Sequence, residues 1–366
     1  MSEPLDPPAP NPRHARLALA IVAGALGLEV GLMLWVGDGF YGDVLRAVRF
    51  GRDVVAGRIS IQTHVDNTKT FVGPLLWFHL WDRFGLWGLR AFNLAAVSLL
   101  ALVHQAIGLR AFGSRIALLA LVFLVYYPGT HRNVAVGELD DNLAALLLGL
   151  SVLLLLRTRS AVLAGLLLGV AFLFKFWIAI FLAGLLLYLA VERRWRAAIA
   201  AGFAAVGPFL ILDLASGGAG LRALFYSVGI QAAYSGWATI ATRMFTTGLL
   251  PCFLVAGWGA WRKRQDPLHR LLFLVPAPYF AYVVLMRDAH AVTFVMTSCL
   301  LLWSWPIAEV VAALVPRRAT APLLVAYAAA GLAIATLNLR RDTHRFDLGD
   351  EVTAPRVAAN EAAPAP

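Results

Sequence analysis

The stretch Ala161–Arg196, AVLAGLLLGVAFLFKFWIAIFLAGLLLYLAVERRWR, decides how the chain crosses a membrane. It is apolar as far as residue 191 except for Lys175, and it ends in a basic run. One helix over residues 161–191 would reach on the order of 45 Å, whereas a bilayer's hydrocarbon core is about 30 Å thick. One helix would also separate the arginines before the stretch from those after it, although Lys and Arg gather on the cytoplasmic side. The sequence therefore favours two short helices joined by an outer turn near Phe174–Phe176.

The same rule orients the other apolar runs. We place these basic loops in the cytoplasm: Arg13/Arg16, Arg110/Arg115, Arg157/Arg159, Arg193/Arg194/Arg196, Arg262/Lys263/Arg264/Arg270 and Arg317/Arg318. The predicted fold is all-α, a polytopic membrane protein of about eleven transmembrane helices: 17–36, 86–108, 116–130, 142–156, 161–174, 176–191, 197–215, 243–261, 271–286, 291–313 and 319–338. The N-terminus is then cytoplasmic and the C-terminus lies outside.

Composition agrees with a membrane location. Of the 366 residues, 60% are hydrophobic and 14% are charged, which is more apolar surface than a soluble protein of this size needs. The net charge of +10 does not indicate nucleic acid, because the basic residues lie in short runs between apolar spans. Cys252 and Cys299 lie in apolar spans and indicate neither a disulfide framework nor a metal site. The Ala-, Arg- and Gly-rich composition is typical of a bacterium, so the expected location is its inner or plasma membrane.

The predicted organisation has three parts. Residues 1–16, rich in proline and polar side chains, form a disordered cytoplasmic N-terminus. Residues 17–338 form the transmembrane domain, whose first span is a retained helix because no cleavage site follows it. Residues 339–366 form a flexible outer tail. Membrane lipids are therefore partners of the whole central part.

The first outer loop, residues 37–85, is predicted to carry two helices in the membrane interface. Over Asp43–Ala56, apolar valines recur at helical spacing while the charged side chains share another face. Phe71–Trp81 carries Pro74 and three aromatic side chains and is too short to cross. If it did cross, the alternation of basic loops downstream would invert.

Acidic residues cluster in two outer segments. Asp38 and Asp43 flank the end of the first span, where each is either a helix cap or solvated helix end, or a general base whose pKa partial burial raises. Glu138, Asp140 and Asp141 fall within four residues, and capping explains one acid but not three. Such acids would bind an acceptor's hydroxyls or a divalent cation such as Mg or Mn, although their spacing matches no fixed metal motif. The metal requirement stays open, and no cofactor follows with certainty.

Basic side chains provide candidate anion ligands on the same side. Lys175 is either an anchor that extends to the interface or a phosphate partner that stabilises charge on a leaving group. Arg132, Arg287 and His290 are further outer candidates for substrate binding, each of which can also be a plain interfacial residue.

Three segments together resemble the GT-C glycosyltransferases. The first is Asp43 followed by the amphipathic helix and Gly73-Pro74-Leu75-Leu76-Trp77. The second is Gly137-Glu138-Leu139-Asp140-Asp141-Asn142 before a leucine-rich helix. The third is similar to the family's "AGLLxGxAxxxK…RRWR" pattern and runs from Ala164 to Arg196. The likeness covers about residues 17–215 and extends to the protein-mannosyltransferase-like and polyprenyl-phosphate-mannose or pentose branches, but the paired Asp-Glu of the first of these branches is absent.

The resemblance implies an enzyme that moves a sugar from a polyprenyl-phosphate donor to a lipid, glycan or protein acceptor at the outer face. Asp43 would be the base, with Asp38 second, and Lys175 with an arginine would bind the phosphate. Glu138, Asp140 and Asp141 would orient the acceptor or hold a metal. A single displacement would invert the anomeric centre, as in inverting glycosidases.

A transporter or flippase for a lipid-linked or anionic substrate is the first rival, since charges inside membranes also mark translocation pathways. A lipid-linked oligosaccharide ligase or membrane acyltransferase is the second, and the outer-face residues Arg287 and His290 keep it open. Transporters commonly show internal repeats and midplane sites. The two halves of this sequence show no repeat, and its charges cluster toward one surface.

Overall fold

The computed structural model describes residues 12–39, 42–58, 72–138, 140–218, 236–287 and 296–342, and within these ranges the chain is helical with no strand. The helices are α1 Pro12–Val36, α2 Gly42–Val55, α3 Gly73–Ala111, α4 Ser114–Val125, α5 Pro128–Val136, α6 Asp140–Thr158, α7 Ala161–Phe174, α8 Ile178–Val191, α9 Trp195–Ala215, α10 Trp237–Thr246, α11 Leu249–Arg262, α12 Pro267–Leu274, α13 Ala277–Met286, α14 Met296–Leu314 and α15 Arg317–Asp342. The predicted all-α class is confirmed for this part of the chain.

Seven segments in the described part are long and apolar enough to cross a membrane, or eight if α10 and α11, bent by 66° from each other, form one span. The chain therefore has the build of a multi-pass membrane protein. Three shorter apolar helices, α4, α7 and α8, fall where the remaining predicted spans were placed. Each has fewer residues than the roughly 20 that a straight crossing requires, so the count of eleven stays a prediction.

The stretch Ala161–Val191 folds as two helices, as predicted. Helix α7 ends at Phe174, Lys175 has extended backbone angles, and α8 begins at Ile178. The guanidinium of Arg194, after α8, donates to the carbonyl of Arg159, before α7, at 3.4 Å. Because the chain leaves and returns at the same end, α7 and α8 form a hairpin.

The basic loops gather at one end of the helices, which we call the basic end. Arg270 pairs with Glu192 at 2.6 Å, and Lys263 pairs with Glu309 at 2.5 Å. The first contact joins the loop after α8 to α12, and the second joins the residue after α11 to the last part of α14. At the opposite end, Val72 donates its N–H to the carbonyl of Leu173 at 3.1 Å, beside the turn of the α7–α8 hairpin. We call this the acidic end, because Asp38, Glu138 and Asp141 lie there.

The two helices predicted for the first outer loop both form at the acidic end. Helix α3 is broken at Gly85, whose φ of 63° takes it out of helical geometry, so its first part is a separate segment before the long span. That first part packs on α2 through a cluster containing Val44, Val48 and Trp77. It starts beside Leu173, and the residues after the kink lie against Gly137. Both ends of the segment therefore lie at the acidic end, and it does not cross.

The predicted span 116–130 is wrong in its extent. Helix α4 stops at Val125, and a second helix, α5, continues to Val136. The break has a local cause, because Pro128 lacks an N–H and pushes the preceding Tyr127 into an extended conformation (ψ 132°). Residues 131–136, predicted to be a loop, are therefore helical. Helices α1 and α15 also extend beyond the predicted domain limits, to Pro12 and Asp342.

A close contact between α7 and α9 explains the glycines of the Gly165-x-x-x-Gly169 pattern. A Cβ added at Gly165 would lie 2.1 Å from the Ala201 carbonyl oxygen, and one at Gly169 would lie 2.2 Å from that of Ala205. The two helices run parallel at backbone contact, as small residues allow inside membranes.

We expect Gly169→Val to destabilise the purified protein, because the new side chain must push α9 away. Overpacking of this kind costs about 1–3 kcal/mol, which a thermal melt in detergent would report as a lower Tm. Gly207→Val is the matched control, since Gly207 lies on α9 with open space around its Cβ position. Equal Tm losses in both variants would contradict the close packing.

Candidate functional site

Two ion pairs form the centre of the acidic end. Lys175 Nζ lies 3.0 Å from Asp141 Oδ1, with side chains 13% and 4% exposed. Arg132 Nη1 lies 3.0 Å from Glu138 Oε2, and these side chains are nearly as buried. Buried charges are costly unless they are paired, so the arrangement holds two cations and two carboxylates in a partly desolvated rim.

Local structure places each of these four side chains. Gly137 ends α5 in the left-handed conformation (φ 78°), which reverses the chain so that the Glu138 N–H bonds the Asn133 carbonyl at 2.8 Å. Asp141 lies in the first turn of α6, where a carboxylate is favoured by the helix dipole. Lys175 is the first residue after α7. The hairpin turn thus brings Lys175 onto the start of α6.

Three asparagines hold the backbone beneath the ion pairs. Asn93 Nδ2 donates to the carbonyls of Asn133 (2.9 Å) and Glu138 (2.6 Å). Asn142 Nδ2 donates to Asn93 Oδ1 at 2.8 Å, and Asn133 Nδ2 donates to Asp141 Oδ2 at 3.3 Å. This network fixes the segment between α5 and α6, so the carboxylates of Glu138 and Asp141 keep their positions.

Arg90 joins the first acidic segment to the second. Its side chain is fully buried and donates to the carbonyls of Gly37 (2.6 Å), Gly39 (2.8 Å) and Ala135 (2.8 Å). The guanidinium also lies 4.9 Å from the ring centre of Trp87, within range of a cation–π contact. Because Gly37 and Gly39 flank Asp38, Arg90 holds that exposed aspartate at the acidic end.

The sequence analysis missed Arg90 and Asn93. Both are polar residues in a span that is otherwise mainly apolar, three positions apart, so they share one helix face. Polar residues inside a span usually mark function or an internal partner. The sequence therefore carried a signal for Arg90 and Asn93.

The structure brings together Lys175, Asp141, Arg132 and Glu138, and Arg90 ties the backbone on both sides of Asp38 to Ala135, three residues before Glu138. Arg287 lies at the end of α13 in the left-handed conformation, 5.6 Å from the ring centre of Trp237. Asp43 and Asp140 belong to the first turns of α2 and α6, but their side chains lie outside the described residues. His290 also lies outside them.

A divalent metal at this end stays a prediction. In the described part of the chain, no group of three or more His, Cys, Asp or Glu side chains is arranged to hold a metal ion. The two described carboxylates, Glu138 and Asp141, already face cations. The side chain of Asp140, the third acid of the predicted set, lies outside the described residues.

No protein-family model matches the chain, and no curated protein matches it either. The GT-C resemblance therefore depends on the motifs quoted above.

Proposed function

We propose that this protein is a glycosyltransferase, which moves a sugar from a polyprenyl-phosphate donor to a hydroxyl acceptor at the outer membrane face. The observation that carries the proposal is the contact of Lys175 with Asp141 at 3.0 Å. It unites two of the three segments that resemble GT-C enzymes, and Arg90 ties the backbone around Asp38, just before the first segment, to Ala135, just before the second. Lys175 and Asp141 are 34 residues apart in the sequence, and their contact supports a single site formed by both segments.

The phosphate would bind at Lys175 and Arg132. Both cations are held by carboxylates and lie at a low-dielectric rim, where a positive charge stabilises a departing phosphate more strongly than it does in water. A phosphate oxygen would share Lys175 with Asp141 or replace it. The lipid tail of the donor would then extend along the apolar helices beside the hairpin turn.

The transfer itself is a single displacement. The acceptor oxygen attacks the anomeric carbon, the bond from that carbon to the phosphate oxygen breaks, and polyprenyl phosphate leaves with the electron pair. Asp43, the first choice, or Asp38 takes the proton of the acceptor hydroxyl. Attack from the face opposite to the leaving phosphate inverts the configuration of the sugar. Glu138 and Asp140 would orient the acceptor.

The proposal is tested by incubating the purified protein in vesicles with radiolabelled sugar on decaprenyl or undecaprenyl phosphate and a membrane extract as acceptor. We expect label to move into the extract with the wild type, and we expect much less transfer with Asp43→Asn and with Lys175→Met. A folded wild-type protein that transfers no label from any donor would refute the enzyme proposal.

One observation favours the alternative, a transporter or flippase for a lipid-linked or anionic substrate. Glu29 and His131 form a fully buried pair deep in the helix bundle, and buried ionisable residues inside membranes also occur in transport pathways. Vesicles that move a fluorescent lipid-linked sugar between leaflets, without transferring the sugar, would support this alternative.

A further inference from the structure

A pair of ionisable side chains crosses the contact between α1 and α5, away from the site described above. Glu29 Oε1 lies 3.3 Å from His131 Nδ1, and both side chains are 0% exposed. In the described part of the chain, no other group makes a hydrogen bond to either carboxylate oxygen or to either ring nitrogen. Within the described residues, the pair is therefore shielded from bulk solvent and has no hydrogen bond to a third group.

Charge balance fixes how many protons such a pair can hold. With one proton between them, the two groups are either both neutral or a carboxylate beside an imidazolium, and the net charge is zero in both cases. Removing that proton leaves a lone buried carboxylate, and adding another leaves a lone buried cation. An unpaired charge in an apolar interior is far more costly than a compensated one, and the one-proton state is the state that leaves no charge uncompensated.

The short helix α5 connects this pair to the acidic end. His131 faces α1, while the next two residues, Arg132 and Asn133, bond Glu138 and Asp141 on the other side. Helix α5 has nine residues and is bounded by the Tyr126–Tyr127 break and by Gly137. Helix α5 is short and is bonded to α1 through His131 and to the acidic end through Arg132 and Asn133. A shift at His131 would therefore move the turn that carries Glu138.

We propose that Glu29 and His131 form a site that binds one proton inside the membrane and positions α5. Gain or loss of that proton loosens the contact between α1 and α5 and, with it, the segment 132–138. This inference is independent of the proposed function, since it concerns the pair and the helix rather than sugar transfer.

Other titratable or charged groups lie on α1, on α5 or on the elements packed against them. The ring of Tyr126 lies edge-on to His131, with 5.9 Å between ring centres. The others lie at the ends of α5 and on α3, α6 and α15, which pack against α1 or α5: Tyr127, Arg132, Glu138, Arg90, Asp141, Tyr327 and Arg340. Lys175 contacts Asp141 from the α7–α8 turn. A test must therefore separate the effect of the pair from the titration of these groups.

The test compares the wild type with Glu29→Leu, His131→Leu and the double variant. We expect each single variant to lower the Tm in detergent, because it strands one ionisable group, and we expect the double variant to recover most of the loss, since two leucines leave no buried charge. Tm losses that simply add in the double variant would overturn the pairing.

Hydrogen–deuterium exchange over residues 128–141 tests the positioning. After correction for intrinsic exchange rates, protection in the wild type should fall at acidic and alkaline pH by at least threefold more than in the double variant. The two proteins share every other titratable group, so their difference isolates the pair. Equal pH profiles in the two proteins would overturn the positioning, whether or not the wild type transfers sugar.

Discussion

Lys175→Met is expected to lower the turnover of sugar transfer by about 10²- to 10³-fold, the loss typical when one preorganised charge-stabilising donor is removed. Lys175 is held at the turn of the α7–α8 hairpin, 3.0 Å from Asp141, so its cation needs no reorganisation when phosphate charge develops. The measurement is the rate of label transfer at saturating donor. Because the cation acts on the leaving group, kcat should fall by more than the KM for the acceptor changes.

The control must separate chemistry from stability. Lys175→Met strands the buried Asp141 carboxylate, which is 4% exposed, and breaking a buried pair from one side costs about 3–5 kcal/mol. Asp141→Asn together with Lys175→Met removes the stranded charge, so we expect the Tm to return toward the wild type while transfer stays lost. If the double variant regains transfer, Lys175 serves only to neutralise Asp141 and is not the phosphate ligand.

The position of the basic loops predicted much of the fold. The rule that separates Arg159 and Arg194 from the acids required a hairpin over residues 161–191, and the structure contains that hairpin. The same rule required the segment before Gly85 to stay at one end, and it does. These features follow from the cost of moving charge across a bilayer, which a sequence records directly.

The break within the third predicted span, 116–130, was harder to predict from the sequence than the α7–α8 hairpin. His131 and Arg132 suggested a loop because polar side chains usually lie outside the membrane, but both have buried partners. Glu29 on α1 pairs with His131 from a distant point in the chain, whereas Arg132 pairs with Glu138 in the turn just after α5. Pro128 was a local sign of a break, although a proline at the first position of a helix starts it as often as it ends one. The partner of His131 on α1 could not be identified from the local sequence, and therefore neither could the helix that carries His131.

The candidate site, like the fold, was predicted only in part. Asp38, Glu138, Asp141 and Lys175 were predicted to lie on one side, and they do lie at one end of the bundle. Their support was not predicted. Arg90 and Asn93 act through backbone carbonyls, and a carbonyl carries no signal in the sequence that identifies its donor. The ligands of a site can be read from residue type, whereas the residues that fix its geometry emerge from the packing.

Asp43→Asn is expected to reduce transfer by about 10²- to 10⁴-fold, the contribution of a general base. Asparagine is nearly isosteric with aspartate and caps a helix about as well, so α2 should keep its fold and the Tm should stay near that of the wild type. The wild-type rate should also fall as the pH is lowered and the base becomes protonated. That acidic limb of the pH–rate profile should disappear from the residual activity of Asp43→Asn.

Two substitutions of the same kind make this result specific. Asp53→Asn changes another aspartate of α2, whose partner Arg58 lies 2.6 Å away in a solvent-exposed pair. Such pairs contribute little to stability, so transfer should remain within about twofold of the wild type. Asp38→Asn tests the second candidate, which Arg90 holds at the acidic end. If Asp38→Asn loses both sugar transfer and the acidic limb of the pH–rate profile while Asp43→Asn keeps them, the base is Asp38. If neither variant loses them, another group accepts the proton of the acceptor hydroxyl, and the proposed mechanism is wrong at this step.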